Sequence, residues 1–239
     1  MLLHKGKAKY KSEQVANLFD SIAHSYDFLN HFLSGGIDFY WRWRALRLLR
    51  NPKPKCLLDV ACGTADFSIA AAKYGVETIY GIDIAANMLS IGKSKVENKG
   101  FSQRIKLEIG NAEAIRFDSE YFDAAIVAFG VRNFENLEKG LREMLRVLKP
   151  NGSILVLEFS KPSFFPFKQI YFFYFKFVLP MIGKLISKHA EAYNYLPNTV
   201  MNFPEGEWFL DILRKIGFNN TRQHRMTFGI VTAYIGVKP

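Results

Sequence analysis

Cysteine is scarce in this chain, and its scarcity excludes several kinds of site. The 239 residues include two cysteines, Cys56 and Cys62, which have neither the spacing of metal ligands nor the number that a disulfide framework needs. We therefore predict that the protein holds no metal and that it works in the reducing cytoplasm. The N-terminus has no apolar stretch typical of a secretory signal, which favours the same compartment.

Glycine is also missing where a nicotinamide-dependent enzyme would need it. Residues 57–66 predict a strand, a tight loop and a helix start, but Gly63 is the only glycine among them. The three-glycine pattern that admits a pyrophosphate is absent, whereas S-adenosylmethionine carries no pyrophosphate. Asp59, in the first strand, is a candidate to orient the amino-acid part of that cofactor. Asp83, which ends the second strand, is suited to bind two ribose hydroxyls.

No uninterrupted apolar run is long enough to span a membrane. The most aromatic segment, 163–183, is interrupted by Lys168, Gln169, Lys176 and two prolines, so we exclude a transmembrane helix there. We consider three roles for a helix in this segment: it caps an apolar substrate, lies at a membrane interface, or packs into the core.

Acidic residues are fewer than basic ones: the chain has 22 aspartates and glutamates and 32 lysines and arginines, which gives a net charge of +10. This balance favours anionic partners such as acidic lipid, nucleic acid or a charged cofactor, or it only keeps a solvated surface soluble. There is no appended basic–aromatic module, so we predict no nucleic-acid partner. Peripheral contact with the inner face of the cell membrane is the partner we expect besides a small molecule.

Alternating strand and helix patterns predict a doubly wound α/β fold with a mostly parallel sheet. We assign residues 1–50 to an N-terminal arm and helical cover, and 51–239 to a core with an aromatic-rich helical insertion at 163–200. A terminal hairpin implies one antiparallel strand among seven. The predicted helices are 13–34, 38–50, 66–74, 86–98, 136–148 and 206–216, and the predicted strands are 56–61, 78–83, 104–109, 123–128, 153–159, 221–228 and 230–237.

Three further motifs lie at or just after the ends of strands, at the carboxyl edge of the sheet, where ligands of such folds bind. Asn111 and Ala112 come after the third strand, where an amide can meet the adenine edge and a small side chain leaves room for the ring. The string Phe-Gly-Val-Arg-Asn at 129–133 comes after the fourth strand, and Leu-Glu-Phe-Ser-Lys-Pro at 157–162 ends the fifth.

Together these strings resemble the ubiquinone/menaquinone biosynthesis C-methyltransferase family from about Val15 to the C-terminus. The resemblance implies a Rossmann-like class I fold and methyl transfer from S-adenosylmethionine to a ring carbon of a demethylated isoprenoid quinol, with menaquinol as the expected product. The family's cofactor contacts match Thr64, Asp83, Asn111 and Ala112. The chain departs from the family pattern in having Ala65 for a common glycine and Ala128 for a common serine.

Three residues are candidates for the chemistry that this resemblance implies. Arg132 would stabilise the developing phenolate, directly or through a water, while Asn133 positions the ring. Arginine stays protonated and cannot be the base, and its alternative role is to pair with an acid and hold the loop. Tyr26 is either a second polar contact to the substrate or a core residue.

Other functions share part of this pattern. A ubiquinone-pathway enzyme would methylate a benzoquinol, and another lipid or small-molecule methyltransferase would share the cofactor motifs without the string at 129–133. A quinol-binding accessory protein without catalytic activity would lose cofactor residues, whereas Asp83 and Asn111 are both present.

Overall fold

A seven-stranded sheet forms the centre of the protein in the computed structural model, which describes residues 11–49, 53–178 and 190–239. The strand order is β3-β2-β1-β4-β5-β7-β6, and only β7 runs antiparallel to its neighbours β5 and β6. This confirms the predicted mostly parallel sheet with one reversed strand. The strands are β1 (Cys56–Val60), β2 (Thr78–Asp83), β3 (Ile105–Ile109), β4 (Phe122–Ala128), β5 (Leu148–Phe159), β6 (Asn219–Met226) and β7 (Val231–Val237).

Helices cover both faces of this sheet, so its central strands are buried on both sides. On one face a cluster that includes Phe122, Met144 and Phe209 packs under α5 and α8. On the other, Trp41 and Leu57 belong to the cluster under α2 and α3. The α-helices among the described residues are α1 (Lys11–Leu33), α2 (Ile37–Leu46), α3 (Asp66–Tyr74), α4 (Ala86–Asn98), α5 (Leu137–Val147), α6 (Phe167–Phe173), α7 (Ala190–Asn202) and α8 (Glu207–Ile216).

The strand order reverses between β1 and β4, because β1 pairs with β2 on one side and with β4 on the other. The connections from these two strands leave in opposite directions and open a crevice at their carboxyl ends. The first helix, α1, packs against α4 beside this crevice. The fold therefore brings the loops after β1, β2, β3 and β4 to one edge of the sheet.

Several predicted boundaries differ from the structure. The helix predicted at 38–50 ends at Leu46, where tighter three-residue turns follow. The strand predicted from 153 already begins at Leu148. Asn151 has a left-handed φ of 65°, but its backbone amide still donates to the Lys238 carbonyl, so the sheet continues through this turn. The aromatic insertion forms α6, a π-helical turn at Tyr174–Val178, and α7. Predictions for 1–10, 50–52 and 179–189 lie outside the described residues.

Within the described part of the chain, no helix combines the length and the apolar character needed to cross a bilayer.

Candidate active site

The loop after β1 turns sharply at the edge of the sheet. Ala61, Gly63 and Ala65 all have left-handed φ angles, of 54°, 54° and 66°. Two of these are alanines, which take that conformation only when the surrounding structure holds them there. A side chain at Gly63 would meet no protein atom within 4 Å. This glycine therefore serves a backbone bend that faces open space, as a loop that cradles a ligand does.

Asp83 attaches this loop to the end of β2. Its Oδ2 accepts a hydrogen bond from the Gly63 amide at 2.8 Å, and its Oδ1 accepts one from the Ala85 amide at 2.8 Å. Burial raises the pKa of this carboxyl, and the two amides partly offset the effect. Each oxygen keeps a second lone pair, so the carboxylate can receive the ribose hydroxyls for which it was predicted.

Asn111 and Ala112 stand at the end of β3. The Asn111 side-chain oxygen accepts a hydrogen bond from the Glu113 amide at 2.8 Å, which closes a tight turn. The side chain of Asn111 is exposed and Ala112 is buried. Because the side-chain oxygen of Asn111 closes this turn, its NH₂ group is left as a donor, and Asn111 lines the pocket described below.

Two predicted cofactor residues lie behind the crevice. Asp59 is buried in β1, where the Ser68 hydroxyl donates to it at 2.6 Å and burial raises its pKa to about 7. The Thr64 hydroxyl donates to the carboxylate of Asp27 in α1. Asp59 Oδ2 and the Thr64 hydroxyl thus have partners within the protein, whereas Asp59 Oδ1 is buried without a hydrogen-bond partner among the described residues.

Asp27 belongs to a charged cluster between α1, α3 and α4. The Lys95 Nζ lies 2.6 Å from carboxylate oxygens of both Asp27 and Asp66. His31 bonds to Asp38 at 2.9 Å and approaches Asp66 at 3.5 Å. The ligand atoms of Asp27, His31 and Asp66 lie within 4.8 Å of one another, close enough for a metal ion. The ammonium group of Lys95 nevertheless stands between the two carboxylates and compensates their charge.

The loop after β4 carries the predicted catalytic pair. Phe129 has a left-handed φ of 57°, and Val131–Asn133 form a single 3₁₀ turn. The Arg132 Nη1 donates to Glu158 of β5 at 2.7 Å and to the Phe129 carbonyl. The Asn133 side-chain oxygen is buried and has no hydrogen-bond partner among the described residues. An orphaned buried acceptor of this kind calls for a ligand or a water.

The loops after β1, β2, β3 and β4 line one pocket. Its volume is about 700 Å³, a value that includes space open to solvent. Tyr26 reaches it from α1, packs edge-on to Phe19 at 5.9 Å, and has a pKa raised by burial. Asp59, Thr64 and Arg132 lie outside its lining. The predicted site residues that line it are Tyr26, Gly63, Asp83, Asn111, Ala112 and Asn133.

The sequence reasoning gave no role to several residues that organise this site. Glu158 is fully buried beside Arg132, and an acid within the apolar run of β5 was the available signal. Asp27 and Lys95 join α1 to the cofactor loop, but nothing in their spacing along the chain indicates that contact.

Comparisons with known proteins identify the family to which this chain belongs. The family model described as the ubiE/COQ5 methyltransferase family matches residues 7–238. The chain belongs to this family. It is 45% identical over 229 residues to a demethylmenaquinone methyltransferase of Bacteroides fragilis, covering 95% of this chain and 94% of that protein. It is 44% identical to a ubiquinone/menaquinone biosynthesis C-methyltransferase of Geotalea daltonii, with coverage of 97% and 99%.

A solved structure supports the fold independently. A Thermotoga maritima protein described as a methyltransferase dependent on S-adenosylmethionine superposes with a TM-score of 0.65 at 17% identity, covering 94% of this chain and 99% of that one. Membership of the ubiE/COQ5 family makes this chain a methyltransferase with S-adenosylmethionine as its methyl donor. The open space over Gly63 and the acceptor oxygens of Asp83 fit that cofactor.

Proposed function

We propose that this protein transfers the methyl group of S-adenosylmethionine to a ring carbon of a demethylated isoprenoid quinol, converting 2-demethylmenaquinol to menaquinol. The observation that carries the proposal is one continuous pocket, which is lined by the loops after β1, β2 and β3 and also by Tyr26 and Asn133. A donor on one side and a ring on the other could meet there without leaving the protein. The name of the Bacteroides fragilis relative supports the same substrate.

In this proposal the carboxyl edge of β1 to β3 holds the cofactor. Asp83 accepts from the ribose hydroxyls, Gly63 lets the backbone approach, and the amide of Asn111 donates to the adenine edge above Ala112. Asp59 and Thr64 support these contacts from behind, through Ser68 and Asp27. When bound, S-adenosylmethionine supplies an electrophilic methyl group.

The loop after β4 prepares the acceptor ring. Loss of a phenolic proton pushes charge onto the ortho carbon, and the fixed charge of Arg132 stabilises the phenolate, directly or through a water. Asn133 donates or accepts at the second ring oxygen, and Tyr26 contacts the ring from the helical cover of residues 1–50. The phenolic proton leaves first, and the ring carbon that has gained the methyl group then loses its own hydrogen as a proton, which restores the aromatic ring. Because arginine stays protonated, water accepts both protons.

Purified protein, S-adenosylmethionine and chemically reduced demethylmenaquinone test the reaction, with the product followed by mass spectrometry. We expect menaquinone to form and Arg132→Ala to lower turnover far more than cofactor affinity measured by calorimetry. A higher kcat/KM for a demethylated benzoquinol would assign the ubiquinone pathway instead. Cofactor binding without any methylated quinone would support an accessory role and contradict the proposal.

We infer further that the protein contacts an anionic membrane surface, where an isoprenoid quinol resides. Exposed aromatic side chains occur on α1, on α2, in residues 164–173 and at Phe228. The Trp41 indole of α2 donates to Thr227 at 2.7 Å, and the neighbouring Phe228 stacks on Phe167 at 3.8 Å. We group eight exposed aromatic side chains of these segments as the aromatic surface: Phe28, Phe32, Tyr40, Trp43, Phe164, Phe165, Phe173 and Phe228.

Basic residues accompany the aromatic surface. Arg44, Arg47 and Lys168 are exposed on the same segments, and the Arg47 guanidinium lies 4.8 Å from the Trp43 ring centre. Aromatic side chains at the headgroup level together with cations are the pattern of interfacial attachment to acidic lipid.

Sedimentation with lipid vesicles tests this surface. We expect binding to phosphatidylglycerol vesicles that weakens with salt and with the double change Trp43→Ser and Phe165→Ser. The matched control is Trp208→Ser, because Trp208 lies outside this surface and its exposure of 74% falls between the 47% of Trp43 and the 78% of Phe165. Equal losses for Trp208→Ser and the double variant would contradict the assignment.

A further inference from the structure

The ion pair between Arg132 and Glu158 is the most buried one that the structure describes. The side chain of Glu158 is 0% exposed and that of Arg132 is 6% exposed. Burying a carboxylate in a central strand is costly unless a cation and further donors compensate it. Here the Phe159 amide adds a hydrogen bond at 2.9 Å. An apolar residue would avoid this cost, so Glu158 calls for a role beyond packing.

The contacts of the Arg132 guanidinium show what Glu158 achieves. Nη1 donates to Glu158 and to the carbonyl of Phe129, while Nε donates to Thr199 of α7 at 3.3 Å. Among the described residues, Nη2 has no protein hydrogen bond. A guanidinium has five N–H donors in a rigid plane, so these bonds fix the plane and leave the two donors of Nη2 for another molecule.

Arg132 does not line the pocket itself, but Gly130 and Asn133 of the same loop do. Asn133, next in the chain, lines the pocket with an orphaned oxygen. The phenol oxygen of Tyr195 in α7 is also buried without a partner. The positive charge of Arg132 lowers the pKa of both Tyr195 and Tyr26, although burial raises each pKa overall. The guanidinium lies where α7 contacts the loop after β4, since its Nε donates to Thr199 and its Nη1 to the Phe129 carbonyl.

We propose that Glu158 is a positioning residue, which acts through Arg132 by holding Nη2 toward the oxygen of the quinol ring. The inference rests on the proposed function, since it gives Nη2 the developing phenolate as its partner. The ion pair compensates the buried charges of Arg132 and Glu158 in each other, and the oriented Nη2 donors carry the charge of Arg132 to the phenolate. Glu158 touches neither the substrate nor the cofactor in this assignment.

The experiment is a double-mutant cycle of Glu158→Gln, Arg132→Gln and the double variant, measured on the full chain with demethylmenaquinol. We expect Glu158→Gln to lower kcat roughly tenfold to a hundredfold, the range that misplacement of a reacting group costs, without a change in S-adenosylmethionine affinity. If Glu158 acts only through Arg132, the double variant is as slow as Arg132→Gln alone. Additive losses, or an equal loss of cofactor affinity, would overturn the proposal.

A matched variant separates positioning from stability. Thr232→Val removes a fully buried hydroxyl that bonds to Ser160 at 2.8 Å on the neighbouring strand, and we expect it to lower the melting temperature without changing kcat. If Glu158→Gln fails to fold, the double variant restores a neutral hydrogen-bonded pair. In that case the double variant must again match a folded Arg132→Gln.

Nitrogen-15 NMR of the arginine side chains tests the geometry without turnover. We expect a sharp, protected Arg132 Nε–H signal that broadens in Glu158→Gln and stays sharp in Thr232→Val. An unchanged signal in Glu158→Gln would overturn the positioning role. A sharp signal in a wild-type protein that methylates no quinol would contradict the proposed function and leave the positioning of Arg132 standing.

Discussion

The Thr64 hydroxyl donates a hydrogen bond to the carboxylate of Asp27, so the loop that follows β1 is attached to the first helix of the described chain. Lys95 of α4 completes the attachment, with its Nζ 2.6 Å from Asp27 and 3.3 Å from the Thr64 hydroxyl. The helix that carries Tyr26 into the pocket is therefore held by the same contacts that shape the cofactor loop.

Lys95→Met should loosen this attachment. Asp27 and Asp66 would then face each other without a cation, and these half-buried pairs contribute about 1 kcal/mol to the free energy of unfolding. We expect a severalfold loss of S-adenosylmethionine affinity by calorimetry and faster proteolysis within α1. Lys93→Met, an exposed lysine of the same helix, is the control. Equal proteolysis of both variants would show that Lys95 does not hold α1.

Asp83→Asn tests the carboxylate at the end of β2. The amide keeps the shape and one acceptor for Gly63, but it cannot offer charged acceptors to the ribose hydroxyls. Hydrogen bonds to charged groups contribute about 1.5–3 kcal/mol, so we expect a loss of cofactor affinity of roughly tenfold to a hundredfold. Glu108→Gln, an exposed acid on β3, should bind the cofactor as the wild type does. Unchanged affinity in Asp83→Asn would remove Asp83 from the cofactor site.

Sequence patterns were sufficient for the sheet and for the residues that follow its strands. Asp83, Asn111 and Asn133 were predictable because parallel strands direct their carboxyl ends to one edge. The partners of Thr64 and Arg132 were not, because Asp27 and Glu158 reach them across 37 and 26 residues of chain. Such contacts depend on how α1 docks and on the register between β4 and β5, which no local spacing encodes.

Asp59 should make the stability of the protein depend on pH. Burial raises its pKa from 3.8 to about 7 in the folded state, so between these values the native protein binds more protons than the unfolded chain. The free energy of unfolding then falls as pH rises through this range, by up to about 4 kcal/mol from this group. Asp59→Asn does not titrate, and we expect its stability relative to wild type to increase from pH 5 to pH 8 in urea denaturation. The exposed Asp118→Asn should show a constant difference over the same range.

Asn133→Ala should separate activity from stability. The buried side-chain oxygen of Asn133 has no partner in the part of the chain that the structure describes, so its removal breaks no hydrogen bond there and relieves a desolvated acceptor. We expect the free energy of unfolding to stay the same or rise, while kcat/KM for the quinol falls by about fivefold, the equivalent of one hydrogen bond of about 1 kcal/mol. Initial rates at saturating S-adenosylmethionine measure the effect on activity, and urea denaturation measures the effect on stability. The control is Asn98→Ala, at an exposed asparagine of α4. A variant that loses stability and keeps its activity would assign Asn133 to the loop's structure, since an acceptor reserved for the substrate must show the opposite pattern.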